Sequence, residues 1–343
     1  MSFVDIRPLN LDDDAEMRAV YEFTRRAELV GRETAPHWSL ENFFGAMRST
    51  DSGERMEPFV SIVDGELVSF GVLYSFLLDN TDKAFLEVRV DPDRRRKGYG
   101  RAMLEHLMAI AEADNRTEVL AETKIPIAEV KTHPYALFLK EAGFIHANVE
   151  LVRYLMMPVD DTAIQTWIDH AAEKHQGGYR IETFRDDIPA ELVPSLCVLW
   201  GQLAVDAPSG EVDFEEEVMT PERFAEHQAT VKAMGRTVLE TLAVAPDGTV
   251  AAQSTLSIPL DDSGDVWQWG TFVHREHRGN RLGLATKAVN LRELQKQFPD
   301  TTRIVTQNGE TNDFMVAINV LMGFELVEAS AEFVKRPEPA AGS

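Results

Sequence analysis

The chain has 343 residues, 44% of them hydrophobic and 27% charged, with a formal net charge of −23 and one cysteine. That length suits two domains of about 150 residues rather than one core, and the net charge argues against nucleic acid or an anionic membrane as the main partner. No apolar run approaches the roughly 20 residues of a bilayer span, and Cys197, with no internal disulfide partner, fits a reducing compartment.

Residues 1–7 show no basic segment leading into an apolar one, so a cytoplasmic location is expected. Helices are predicted over 15–28 and 38–47. Apolar runs at 59–63 and 67–74 flank Asp64-Gly65, the pattern of a strand, tight turn and strand. A third strand, 84–90, runs into a glycine-bearing loop. A helix follows, with Met103, Leu107, Ile110 and Ala111 at i, i+4, i+7 and i+8. A strand at 119–122 and a short helix ending at Gly143-Phe144 close the series. A helix over 164–174 stops at Gly177-Gly178. The same order then recurs: helices at 191–203 and 221–234, strands at 238–245 and 250–258 around Asp247-Gly248, a strand at 266–273, a loop, and a helix carrying Leu284, Ala288 and Leu291. A strand at 303–306 and a short helix ending at Gly323-Phe324 complete it. The tail 337–343 is expected to be disordered.

The repetition is quantitative. Asp64 and Asp247, Val90 and Val273, Arg95 and Arg278, and Gly100 and Gly283 all share one offset of 183 positions. The chain therefore reads as two copies of one α+β (α/β mixed sheet) architecture: an N-terminal domain over 1–155, a linker helix over 156–178 and a C-terminal domain over 179–336.

Positive charge gathers at both loops of this acidic protein. Arg94, Arg95, Arg96, Lys97 and Arg101 lie at the first; His274, Arg275, His277, Arg278, Arg281 and Lys287 lie at the second. In each loop a strand ends, glycine permits a tight path, and a helix begins. The first amides of a helix lack backbone partners and carry the positive end of its dipole, and glycines let such a backbone approach a phosphate. The loop suits a pyrophosphate. It is neither a Walker loop nor the three-glycine dinucleotide fingerprint.

The succession of strand, Val-x-Pro, Arg-x-x-Gly-x-Gly, amphipathic helix, strand, helix and Gly-Phe resembles the GNAT superfamily of acetyl-CoA-dependent N-acetyltransferases. The resemblance runs over nearly the whole chain, as in tandem-domain members, and the layout is similar to that of mycothiol synthases. It implies two mostly antiparallel central sheets flanked by helices, whose fourth and fifth strands splay around the pantetheine arm. It also implies acetyl-CoA (CoA) as cofactor and transfer to the amine of a small-molecule acceptor by direct attack in a ternary complex, with a strand amide polarising the thioester. The alternatives are a mycothiol synthase-type acetyltransferase and a non-catalytic acyl-CoA-binding sensor. A tandem chain buries internally the surface that single-domain relatives use to pair, which leaves monomer and homodimer both open.

By the same resemblance the cofactor is expected on Val88, Val90, Arg95, Arg96, Lys97, Gly98, Tyr99, Gly100 and Arg101. In the second half it is expected on Phe272, Val273, Arg278, Gly279, Asn280, Arg281, Leu282, Gly283 and Leu284. Asn312 is expected at the pantetheine arm, with Thr132 at the equivalent first-half place. Arg281 stands where the family has its first glycine, which would be costly if that position needs φ > 0, so 95–100 reads as the better-formed cradle.

An acceptor amine must lose a proton to react. The family's glutamate, three residues before the valine, is Glu87 here, the expected base; its other reading is an ion pair with Arg89. The matching second-half position is Gly270, which has no side chain, so the first half is expected to react. The family's tyrosine, four residues before the Gly-Phe glycine, is replaced by Leu139 and Asn319, leaving Tyr135 as candidate acid. Cys197 sits in an apolar helical pattern and reads as core. His274 and His277 lack further ligands, and no metal is expected. Asp206, Asp213, Glu215, Glu216 and Glu217 read as an acidic surface or a cation-recruiting loop.

Overall fold

A computed structural model describes residues 5–36, 38–206, 210–261 and 265–336; the tail at 337–343 lies outside them. In chain order the elements of the first half are β1 (Asp5–Pro8), α1 (Asp14–Glu28), α2 (Leu40–Arg48), β2 (Glu54–Val63), β3 (Glu66–Phe76), β4 (Lys83–Val90), α3 (Tyr99–Ala113), β5 (Glu118–Ile125), α4 (Pro134–Glu141) and β6 (Ile145–Met156). The second half continues with α5 (Asp161–His175), β7 (Arg180–Arg185), α6 (Val193–Asp206), α7 (Pro221–Ala233), β8 (Arg236–Val244), β9 (Val250–Pro259), β10 (Asp265–Val273), α8 (Leu282–Gln297), β11 (Arg303–Gly309), α9 (Asp313–Leu321) and β12 (Glu325–Lys335). None of the described helices is long and apolar enough to cross a membrane.

Local chemistry accounts for the punctuation. Asp13, Ser39, Asp160 and Thr220 each accept a first-turn N–H and start α1, α2, α5 and α7. Asp64 and Gly65, at φ 53° and 79°, make the two-residue hairpin between β2 and β3. The second hairpin is longer: the Asp247 carboxylate accepts from the Thr249 amide at 3.0 Å and Gly248 alone takes positive φ. The strands β1, β6, β7 and β12 were not among the sequence expectations.

Contact clustering gives two compact units. The first takes the chain up to Asn148, with Gly210–Val212 and the stretch from Ser330 onward; the second takes Val149–Ser209 and Asp213–Ala329. A cut at 155–156 falls within β6, whose later residues pair with β11 in the second unit (Leu155↔Ile304, Arg153↔Thr306). The end of β12 lies beside β5 in the first. Each unit is thus finished by the last strand of the other half's sequence.

In the first unit, Leu73, Leu104, Leu107, Leu139 and Phe333 centre a core between the sheet and α3 and α4, while Met17, Phe23, Phe43 and Phe70 form one beneath α1 and α2. The second unit repeats both layers: Leu239, Leu256, Leu284, Leu294 and Ile304 pack on the α5–α8 side, and Leu196, Leu199, Phe224, Leu242 and Phe272 on the α6–α7 side.

The sheets are antiparallel except at one seam each. There β4 runs parallel to β5 over Lys83–Leu86 and Glu118–Ala121, and β10 runs parallel to β11 over Asp265–Gln268 and Arg303–Thr306. Past Leu86 and Gln268 the ladders stop, and each pair opens into a gap. The β10 register against β9 shifts between Gln268 and Gly270, a bulge at Trp269, while β4 pairs regularly with β3.

Candidate functional site

Both loops deliver a helix start to the mouth of a gap. From Val90 the chain passes Arg95 at φ −62° and Arg96 at φ 65° to Gly98 at φ 91°, the residue before α3. From Val273 it passes Arg278 at φ −62° and Gly279 at φ 83° to Arg281 at φ 56°, the residue before α8. The two loops take the same backbone path. Each spends one glycine and one arginine on its two left-handed positions, in opposite order. Arg281 does sit at φ > 0, as the glycine pattern warned, but Arg96 bears the same burden in the first loop. The expectation of one intact and one degraded loop is therefore corrected: as backbone, the cradles are equals.

Both helices are left open. Side chains of Asp13, Ser39, His133, Asp160, Thr220 and Asn312 accept first-turn amides of α1, α2, α4, α5, α7 and α9. Gly98 and Arg281 provide no such acceptor to α3 and α8. Unpartnered amides at the positive end of a helix fit an anion, and a pyrophosphate in particular. Close packing sets the helix against its strand: a Cβ on Gly100 would meet Val90 Cγ2 at 3.0 Å.

What separates the cradles is charge. Among the described residues, Arg96, Lys97 and Arg101 make no hydrogen bond or ion pair and are exposed. Arg95 lies 5.3 Å over the Tyr135 ring and reaches the Ala27 carbonyl at 3.4 Å. In the second cradle the cations are engaged. The Asp206 carboxylate accepts from Arg275 at 2.7 and 2.9 Å and also pairs with Arg278. Arg281 donates to the His170 carbonyl at 2.7 Å and pairs with Glu173 at 3.3 Å. Asn280 donates to the His277 carbonyl at 3.0 Å. Hydrogen bonds from both arginines, working against partial burial, hold Asp206 below the usual carboxylate range. One member of the expected acidic loop is thus a clamp on the second cradle.

Glu87 points to the α1–α2 face beside Arg89, as alternation requires. It is bound by Arg89, which also pairs with Glu28 on α1. Burial raises the Glu87 carboxyl, but Arg89, helped by the charge of Lys124, outweighs it and leaves the group below its ordinary value. A carboxylate held ionised this way is a good anchor for a cation and a weak proton acceptor. Tyr135 is half-buried at the start of α4, its ring 4.5 Å edge-on to His133, and its backbone N–H donates to His133 Nδ1 at 3.3 Å. Leu139 is core.

In the second unit Val273 and Leu282 pack together and Phe272 is buried. Asn312 caps α9 by accepting from the Met315 amide at 3.2 Å. His133, the residue after Thr132, does that job for α4, because α9 begins one residue earlier relative to its Gly-Phe. Gly270 lies in one row with Thr255 and Glu240 across β10, β9 and β8. Thr255 Oγ1 donates to Glu240 Oε2 at 2.8 Å, while buried Oε1 has no partner; burial raises this carboxyl to about 8. Nothing in the spacing around Gly270 marks Glu240, which only the strand register brings into its row. Cys197 is buried in the core as expected. His274 and His277 are engaged by Gln202 at 3.2 Å and Tyr179 at 3.0 Å.

Residues 17–130 match the acetyltransferase (GNAT) family. The ribosomal protein bS18-alanine N-acetyltransferase of Escherichia coli K12 is 30% identical over 96 residues, which is 28% of this chain and 55% of that protein. The chain thus matches about half the length of such relatives. A tandem GNAT protein from the clavulanic acid biosynthesis pathway superposes with a TM-score of 0.77 at 22% identity, covering 98% of this chain and 100% of that one. A GCN5-related N-acetyltransferase from Sphaerobacter thermophilus gives 0.66 at 15% identity over 98% and 96%. At those identities the structural likeness shows the fold alone.

Proposed function

We propose that this chain, which carries an acetyltransferase (GNAT) domain over residues 17–130 within a tandem GNAT fold, is an acetyl-CoA-dependent N-acetyltransferase acting on the amine of a small-molecule acceptor. The observation that carries the reading is the pair of uncapped helix starts, α3 and α8, each at the mouth of a gap between splayed strands. The cradle amides hold the pyrophosphate, and at the first cradle Arg96, Lys97 and Arg101 add charge. The freed edge of β4 beyond Leu86 offers backbone N–H groups that polarise a thioester carbonyl lying in the gap. Glu87 draws a cationic acceptor to that edge. The amine attacks directly, forming the C–N bond as the C–S bond breaks, with no acyl group passing through Cys197.

The test is release of free thiol from acetyl-CoA across a panel of aminosugars, cysteinyl aminosugars and peptide N-termini, each against a no-acceptor control. Turnover with one acceptor class is expected, and the cysteinyl aminosugar arm reports a mycothiol synthase-type reaction. A second reading, a non-catalytic acyl-CoA sensor, is favoured by the missing proton donors at Leu139 and Asn319. Thermal stabilisation by acetyl-CoA without thiol release under any acceptor would select it.

A further inference from the structure

On the α8–α9 side of the second gap four polar side chains form one buried chain. Lys287 Nζ, in α8, donates to Asn319 Oδ1 at 2.5 Å. Asn319 Nδ2, in α9, donates to Asn308 Oδ1 at 2.9 Å. The same oxygen accepts from Arg153 Nη1, in β6, at 3.2 Å. Their exposures are 2%, 0%, 9% and 4% for Lys287, Asn319, Asn308 and Arg153. Asn308 stands two residues beyond Thr306, where β11 parts from β10, so the chain lines the gap that begins beneath the α8 cradle.

The first unit serves as an internal control. Counting from shared landmarks, Lys287 corresponds to Leu104, Asn319 to Leu139 and Arg153 to Phe333. Those three pack together in the first unit's core. The fold closes perfectly well with apolar residues at these positions. Two cations linked only through neutral amides, with no carboxylate among their partners, are the costlier choice. Burial and the charge of Arg153 push the Lys287 ammonium down to about 7. Two buried cations that meet no carboxylate among the described residues suit an anion that arrives there.

We propose that Lys287, oriented by Asn319 and backed by Asn308 and Arg153, is the sulfur site of the second gap, its ammonium donating to the CoA sulfur. This rests on the acetyl-CoA reading above. Phe324, 4.5 Å from Nζ, walls the site on one side.

The experiment compares CoA with desulfo-CoA, which keeps every phosphate and loses only the sulfur, by calorimetry on wild type and Lys287→Leu. Leu104 shows that the fold accepts leucine at this place. Wild type is expected to prefer CoA by about tenfold at one of its sites, since a hydrogen bond to a charged group contributes about 1.5–3 kcal/mol; Lys287→Leu should bring the two ligands within about twofold. General damage to the protein would weaken both equally. Retention of the preference in Lys287→Leu overturns the site. If that variant does not fold, wild type decides alone: equal affinity for the two ligands overturns it. Failure of wild type to bind either ligand sinks the acetyl-CoA reading itself.

Discussion

Gly98 and Arg281 occupy the same left-handed position at the starts of α3 and α8, with φ of 91° and 56°. A Cβ on Gly98 would meet nothing within 4 Å, so Gly98→Ala is a purely conformational change. It should cost about 1 kcal/mol, seen as a lower denaturant midpoint at unchanged slope. Arg281→Gly relieves the same strain but loses the contacts to His170 and Glu173, and should fall within about 0.5 kcal/mol of wild type. A larger loss for Arg281→Gly than for Gly98→Ala would contradict the equivalence of the loops.

Asp206 restrains the second cradle, so Asp206→Asn should release Arg275 and Arg278 toward phosphate. Binding of acetyl-CoA at the weaker site is expected to tighten several-fold and to depend more steeply on salt. The stability change should be small, about 0–1 kcal/mol, because both arginines are about half exposed. Weaker binding in calorimetry would mean that Asp206 positions the arginines rather than competing for them.

Arg89→Met leaves Glu87 in a partly buried place without its cation. The native group lies below its ordinary pKa, so its contribution to stability is present above the unfolded value, about 4.3, and fades as pH falls through the folded one. In the variant burial is opposed by Lys124 alone and the sign reverses. A loss of about 1–2 kcal/mol at pH 7, shrinking toward pH 4, is expected from urea melts. A pH-independent loss would assign the effect to packing.

Glu240 gives the opposite slope. Its folded value, about 8, lies above the unfolded one near 4.3, so the native state holds a proton that the unfolded chain has released. Stability should fall between about pH 4.3 and pH 8, by up to about 1.4 kcal/mol per unit. Glu240→Gln keeps an acceptor for Thr255 and should flatten that slope, overtaking wild type in alkaline melts. Parallel curves for the two proteins would refute the assignment.

The hairpins, both cradles and the tandem fold were legible because Asp-Gly turns and glycine loops are local signals held at one offset. The closing strands were not. The exchange of β6 and β12 depends on pairing between distant segments, and Ile145–Met156 looks alike in either partner sheet. Lys287 escaped for a related reason: α8 is buried on nearly every side from Leu282 to Leu294, so apolar periodicity could not mark its inner positions. Glu240 became visible only through strand register, which places it in the row of Gly270 two strands away. The family resemblance marked Glu87, and its neighbour Arg89 lies two residues on, but the second partner of Arg89, Glu28 on α1, requires the fold.

The central claim is that two helix starts bind acyl-CoA. Calorimetric titration with acetyl-CoA tests it most directly: two equivalents are predicted for wild type, with the site of α3 more salt-sensitive because Arg96, Lys97 and Arg101 are uncommitted there. An absence of binding heat, together with no thermal stabilisation by acetyl-CoA, would contradict it.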